Sequence, residues 1–372
     1  MQKSNPKIAI VCDWLTNFAG AERCILALHE LFPLAPIYTT IFSPKKMPEF
    51  AGADIRPSFL QNWPLAKKRW QIYLPLMPAA IESLDLRGFD VIISTSHAVA
   101  KGIITKPEQL HICYCFTPMR YAWVDQNAYI KESKFIWPIK KFIPHLLSYL
   151  RVWDRAASER VDKFVAISKY VARRIEKFYE RKADVIYPPV NGNLYSISDQ
   201  VDDYFLVVGR QVPYKRTDIV VEAFNNLRIP LKIIGEGPEI RRLKKIAKAN
   251  IDFLGRLSDR ETKKYYSHAK AFIFPQEEDY GITPLEAMAS GRPVIAYRGG
   301  GALETIIEGI TGTFFDEQTA PCLVDAIRHF DPERYNPLLV RQHALKFDVS
   351  NFKKQFKEYV EREWEKWSDL RN

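Results

Sequence analysis

The sequence predicts an α/β protein made of two doubly wound parallel-sheet domains facing across a cleft. Three observations carry that prediction. Short apolar runs recur along the chain and end at a carboxylate, glycine or proline, as strands buried on both faces do. Segments with helical periodicity alternate with these runs. The alternation restarts after the pair Pro188-Pro189, in a chain of 372 residues that is large for one core and comfortable for two.

In order, residues 7–13 read as the first buried strand, closed by Asp13. A loop over 14–20 follows, then a helix over 21–31 with Ile25, Leu28 and Leu31 on one face. Gly20 lets backbone approach a ligand, although the loop lacks GxGxxG and equally fits a plain βα turn. Further strands are expected at 37–42, 90–95, 164–168 and 184–187, with a helix capped by Ser168 before the last. A stiff proline connector at 188–189 then separates residues 1–188 from residues 189–349. The second half offers strands at 204–208, 231–234, 251–254, 272–274 and 293–297, most of them ending in a glycine-containing loop. Its helices run over 217–227, after Pro238, after the capping-box pattern Ser258–Glu261, from about Ile282, and over 302–308. A last helix over 350–372 carries an aromatic stripe (Phe352, Phe356, Tyr359, Trp364, Trp367) that needs burial, and is expected to join the first domain.

Composition narrows the function without choosing it. Apolar residues make up 47% and charged residues 26% of the chain, an ordinary globular balance. The five cysteines show neither CxxC nor Cys/His spacing, which points away from disulfide frameworks and zinc sites and toward a reducing cytoplasm. Residues 1–13 lead straight into a strand without an apolar h-region, so no secretory signal is expected, and no apolar run approaches the length needed to span a bilayer. The net charge of +10 favours polyanionic partners: nucleic acid, anionic lipid or phosphorylated small molecules. Two stretches, 61–81 and 131–155, interleave basic and aromatic side chains. They read either as helices with one solvated face or as contacts with an anionic membrane surface. The prolines in them (Pro64, Pro75, Pro78, Pro138, Pro144) predict that neither is one long helix.

The chemistry gathers at the strand ends of the second half, where open α/β sheets bind ligands. Arg210 and Lys215 suit a diphosphate, the first as a fork and the second as a point charge; the bland alternative is two solvated loop cations. After the strand at 272–274 come Glu277-Glu278-Asp279, then Tyr280, Gly281, Ile282 and Thr283 opening a helix that holds Glu286. Carboxylates repel phosphate but accept hydrogen bonds from hydroxyls, so Glu278 and Glu286 fit a ribose and a sugar. Against this, Glu278 could be one acid of a solvated run, and Thr283-x-x-Glu286 has the form of a capping box. Phosphate, ribose and sugar together describe a nucleotide sugar.

Glu278 and Glu286, with Gly281 and Pro284 between them and Ala-Met-Ala-Ser-Gly-Arg-Pro-Val after, resemble the E-x7-E signature of retaining GT-B glycosyltransferases of family 4. Val208-Gly209-Arg210 with Lys215, Ile234 to Pro238, Phe253-Leu254-Gly255, Gly299-Gly300 with Glu304, and Thr311-Gly312 extend the resemblance over essentially the whole chain. Ser96 to Gly102 and Thr117 to Trp123 are similar to a bacterial polysaccharide branch that contains O-antigen mannosyltransferases. The resemblance implies the GT-B fold of two Rossmann-like domains. It implies that Arg210 and Lys215 stabilise the leaving diphosphate, that Glu286 holds the ribose, and that Glu278 contacts the transferred sugar. Backbone from Tyr280 to Thr283, Gly235, Gly255 and Arg256 would complete the donor site. Gly20 would lie against the diphosphate, and His97 would face the sugar and acceptor unless it is a histidine satisfied at a strand end. Two departures stand out: Ala19-Gly20 replaces a glycine pair, and Phe116 stands where relatives often carry histidine.

The implied reaction moves a hexose, with retention, from GDP-mannose or a UDP-hexose to a glycan or lipid-linked acceptor in cell-surface polysaccharide synthesis. No metal and no cofactor beyond the nucleotide sugar is expected. The expected place is the cytoplasm, including the inner face of the cell membrane. Two rivals remain at this level. A nucleotide-sugar epimerase would form product from donor alone. A basic nucleic-acid binder would explain the charge but leave Glu278 and Glu286 without a purpose, and no specific nucleic acid is expected.

Overall fold

A computed structural model describes residues 6–124 and 137–370, with only the backbone at 137–140. The chain divides into two compact units, Met1–Tyr187 with Phe352–Asn372, and Pro188–Asn351. Each is a wholly parallel sheet flanked by helices.

In the first unit the strands are β1 (Ile8–Cys12), β2 (Ile37–Thr39), β3 (Ile55–Pro57), β4 (Val91–Ser96), β5 (Leu110–Cys115), β6 (Lys163–Ala166) and β7 (Ala183–Val185). They lie in the order β3-β2-β1-β4-β5-β6-β7. The order reverses direction between β1 and β4, where Cys12 pairs with Thr95. Both strands are buried along almost their whole length, which is why they read as unbroken apolar runs. β2 is shorter than the predicted 37–42, because after Thr39 the chain turns to bond the loop that follows β1, with Thr40 N–H on the Asp13 carbonyl. The helix Lys169–Tyr179 starts where expected, the Ser168 hydroxyl accepting from the Val171 N–H at 3.1 Å. The final helix, Val349–Asp369, buries Phe352 and Phe356 against Tyr114 of β5 and bonds Tyr359 to Asp184 of β7. Its aromatic stripe thus serves the core of the first unit.

The basic-aromatic stretches need one correction. Residues 61–81 are a succession of short α and 3-10 helices rather than one long helix, with Pro75 inside one of them and Pro78 in the first turn of the next. By contrast, Trp137–Ser158 is one continuous helix of 22 residues that runs through Pro144; residues 131–136 lie outside the described residues. Proline inside a helix costs about 3 kcal/mol. Here Ile143, Leu147, Leu150 and Ala157, at helical spacing, are all buried, and that packing outweighs the lost bond.

In the second unit β8 (Phe205–Val208), β9 (Leu231–Ile234), β10 (Ile251–Gly255), β11 (Ala271–Phe274), β12 (Val294–Tyr297) and β13 (Gly312–Phe315) take the order β10-β9-β8-β11-β12-β13. This is the six-stranded order of a dinucleotide-type sheet, and its switch point lies between β8 and β11. The capping box at Ser258 and Glu261 forms as predicted. Pro238 does not open its helix, which begins only at Ile240. Gly237 is drawn against the Gln211 backbone, and Glu239 N–H bonds the Gln211 carbonyl, so a turn is held there first.

Candidate functional site

The switch point of the second sheet brings together the loops after β8 and β11, which are far apart in sequence. The loop after β8 tightens into a 3-10 turn, Pro213–Lys215, and Arg216 takes a left-handed conformation with φ of 51° before the next helix. This aims Lys215 back over the sheet, where its Nζ forms an ion pair with Glu278 Oε1. Both side chains are only 17% exposed, so the pair is mostly shielded from water. Gly209, Arg210, Gln211, Lys215, Thr217 and Gln276 line one recess there. Arg210 itself is exposed at the rim.

Glycines hold this loop pair in place. A Cβ on Gly300 would overlap the Glu278 carbonyl oxygen, and one on Gly301 would overlap the Tyr280 Cα. The Gly301 N–H bonds the same Glu278 carbonyl at 2.8 Å. The run Gly299-Gly300-Gly301 is therefore the floor on which the acidic loop rests. Gly235, with φ of 123°, packs directly on the Gly209 carbonyl, and its N–H bonds the Gly255 carbonyl at 2.7 Å. Arg256 follows, exposed. Tyr280 is buried, its hydroxyl on the Pro188 carbonyl at 3.2 Å.

Gly281, at φ of 90°, is the N-cap of the helix Ile282–Ala289. The first N–H groups of a helix lack intrahelical partners and sit at the positive end of its dipole. Ile282 and Thr283 occupy those positions, and Pro284, with no N–H to lose, fits the first turn. Since Gly281 is the cap, Thr283 lies inside the helix, and the capping-box reading of Thr283 and Glu286 does not hold. Glu286 is instead a largely buried carboxylate whose Oε2 accepts from the Tyr266 hydroxyl at 3.0 Å. Tyr266 is fully buried between Tyr195 and Phe272. Nothing in the sequence marks Tyr266 as a partner of Glu286.

The switch point of the first sheet carries its own constellation. Asp13, directly after β1, is buried, and its carboxylate accepts four consecutive backbone N–H groups from the loop after β4. These are His97 at 2.7 Å, Ala98 at 3.1 Å, Val99 at 2.6 Å and Ala100 at 2.6 Å. The same carboxylate meets His97 Nδ1 at 2.8 Å. Burial by itself raises the Asp13 pKa, but the charge and hydrogen bonds of His97 and the backbone outweigh it and hold Asp13 below the usual range. Burial likewise disfavours a charged His97, yet Asp13 more than compensates and raises it. Gly20 opens the helix Gly20–Leu31, whose Ala19 N–H is bonded at 2.9 Å by Glu22, an acid pushed up by burial. Phe116 braces the His97 ring at 6.4 Å. In the sequence Asp13 reads only as the residue that ends a strand. A carboxylate after the first strand and a histidine after the fourth are neighbours in any sheet wound this way.

Among the described residues no three His, Cys, Asp or Glu side chains gather as metal ligands, and no helix is long and apolar enough to cross a membrane.

Two wholly parallel, doubly wound sheets, one with a paired acid and base at its switch point beside a helix N-terminus, define a doubly wound α/β protein. Comparison with known proteins narrows the class. The family described as Glycosyltransferase Family 4 matches residues 18–193, and that described as Glycosyl transferases group 1 matches residues 197–333. The chain belongs to the family 4 glycosyltransferases of GT-B fold.

A GDP-mannose-dependent alpha-(1-6)-phosphatidylinositol monomannoside mannosyltransferase of Mycolicibacterium smegmatis is 32% identical over 34% of this chain and 38% of that protein. The O-antigen chain mannosyltransferase RfbU of Salmonella typhimurium is 29% identical over 40% of this chain and 45% of its own length. The matched stretches span about half or less of the first curated relatives. Among solved structures, Anabaena HepE in complex with UDP shares the fold at a TM-score of 0.71 and 16% identity, covering 96% of this chain and 100% of that one.

Proposed function

We propose that this protein transfers a hexose, with retention at the anomeric carbon, from a nucleoside diphosphate sugar to a growing lipid-linked glycan. The observation that carries the reading is the Lys215–Glu278 pair at the β8/β11 switch point, beside the N–H groups of Ile282 and Thr283. Cation and helix N-terminus suit a diphosphate; the carboxylate beside them suits a sugar hydroxyl. On donor binding, phosphate oxygens replace Glu278 as the partner of Lys215, and the freed carboxylate turns to the sugar. Lys215 and Arg210 then stabilise the negative charge that grows on the departing diphosphate. Glu286, one turn into the helix, takes the ribose. In this reading no divalent ion is required, and EDTA leaves turnover unchanged.

Mannose from GDP-mannose is the first choice of donor, on the strength of the mannosyltransferases among the relatives; a UDP-hexose is the second, on the strength of the UDP-bound neighbour. A thermal-shift series with GDP, UDP and ADP and their sugars ranks them, because a ligand that binds only the folded state raises its stability. Transfer to an added acceptor then separates a transferase from an epimerase. A larger shift with ADP than with GDP or UDP would sink the donor assignment.

The acceptor side of the proposal rests on the first unit. Trp63, Leu65, Ile72 and Leu76 are exposed beside Lys67, Lys68 and Arg69, and Phe142, Tyr149 and Val152 are exposed along the helix Trp137–Ser158. Both segments pack their other faces into the same core. Apolar side chains ringed by lysine and arginine fit an anionic bilayer surface on the cytoplasmic side. Co-sedimentation with vesicles containing anionic lipid should exceed that with neutral vesicles; equal binding to both would remove the membrane from the proposal.

A further inference from the structure

We propose that Asp13 is a positioning residue for transfer: its buried carboxylate fixes the His97 ring through Nδ1 and presents Nε2 outward as a cationic hydrogen-bond donor to the substrate. The inference rests on the transferase reading above and extends it to a residue for which the sequence offered only a structural place.

Five donors converge on one carboxylate that is 1% exposed. Four of them, the successive N–H groups of residues 97–100, would tie the loop after β4 to β1 whatever side chain stood at 97. The fifth, to the imidazole, is not needed for that task. The ring is further held edge-on by Trp14 at 4.7 Å and at a tilt by Phe116 at 6.4 Å, and Trp14 is itself stacked on Trp70 at 4.0 Å. Yet the His97 side chain remains 32% exposed. Nδ1 is turned inward to Asp13, so the accessible edge carries Nε2, which has no protein partner among the described residues. An imidazole locked on one nitrogen with the other presented outward is how a histidine acts on a substrate.

The groups facing the ring decide its charge. Asp13 from the loop after β1 and Glu22 from the helix Gly20–Leu31 favour the imidazolium; Lys101 on its own loop opposes it. Lys101 is itself engaged by Asp154 and by the Ala98 carbonyl, so much of its charge is answered locally. A cationic Nε2–H makes a charge-assisted bond to a sugar hydroxyl or to an oxygen gaining negative charge as the diphosphate departs.

The test is the pH profile of kcat/KM for the wild type, His97→Gln and Asp13→Asn. An essential imidazolium keeps activity below the pKa of His97 and loses it as pH rises through that value. His97→Gln should lower kcat/KM at neutral pH at least about tenfold and abolish the alkaline limb. Asp13→Asn should move the limb to lower pH and reduce kcat more than it raises KM. Proton NMR of the His97 ring, assigned by its absence in His97→Gln, should titrate above the ordinary value of about 6.5. That measurement needs neither turnover nor a known donor, so it stands if the donor assignment fails, and the His97→Gln pH profile carries the test if Asp13→Asn does not fold. An alkaline limb unchanged in His97→Gln, an acid limb that disappears in it, or a ring titrating below about 6.5 would each overturn the proposal.

Discussion

Replacing Glu286 by Ala removes the carboxylate oxygen that accepts the Tyr266 hydroxyl at 3.0 Å inside the second unit. Two losses follow, and they separate cleanly. The first is structural: a buried tyrosine hydroxyl is left without that acceptor, at a cost of about 1–3 kcal/mol of stability. The second is functional: if Glu286 holds the ribose, each hydrogen bond to the charged oxygen is worth about 1.5–3 kcal/mol, so two of them amount to a loss of at least about 100-fold in kcat/KM. Tyr266→Phe removes the same buried bond but leaves the carboxylate in place. The two variants should therefore lose similar stability in urea unfolding, while Glu286→Ala loses far more transfer activity. A 2′-deoxyribose donor supplies the cross-check, being penalised in the wild type and hardly at all in Glu286→Ala. Near-normal turnover by Glu286→Ala, or equal activity losses in the two variants, would refute the ribose role and leave Glu286 as an anchor for Tyr266.

Other consequences can be measured on the same protein. Lys215→Ala should lower kcat at least about tenfold, because charge on the leaving diphosphate loses a close cation; a change confined to KM would contradict that role. Gly301→Ala forces a methyl group into the Tyr280 backbone, and overpacking of this type costs about 1–3 kcal/mol. Because the displaced segment is the acidic loop, nucleotide-sugar affinity should fall along with stability; unchanged affinity would disconnect the glycine floor from the site. His111 is buried on β5 with Nε2 at 2.7 Å from Ser94 Oγ, and burial lowers its pKa to about 4. Unfolding frees it to take a proton below about pH 6.5, so stability should decline as pH falls from there toward 4, by about 3 kcal/mol in all. Urea unfolding at pH 7 and pH 5 should show this decline in the wild type and a smaller one in His111→Gln.

Much of the architecture was legible along the chain because it is local. Apolar runs closed by glycine become strands when both faces are covered, the helix Thr217–Leu227 spans the residues expected of it, and the helix Lys169–Tyr179 begins after its Ser168 cap. Glu278 and the Gly281 to Thr283 helix start could be read together because they share one loop. Local pattern also misled. Thr283-x-x-Glu286 has the spacing of a capping box, yet the left-handed glycine before it moves the helix start back and takes the role of cap. Pro144 argued for a break that core packing overrides.

What the amino-acid sequence determined by itself is the succession of strands, loops and helices, and the residue types offered at each strand end. Which strand ends meet was decided only in three dimensions. Lys215 and Glu278 are 63 positions apart, and Asp13 and the His97 loop are 84 apart at the first hydrogen bond between them. Each pair is joined because the strand order reverses between the strands that carry them, β8 beside β11 and β1 beside β4. Strand order depends on how whole layers pack, a long-range balance of buried area and chain connection that no local window contains. Tyr266 came to Glu286 in the same way, through the packing of one helix on another.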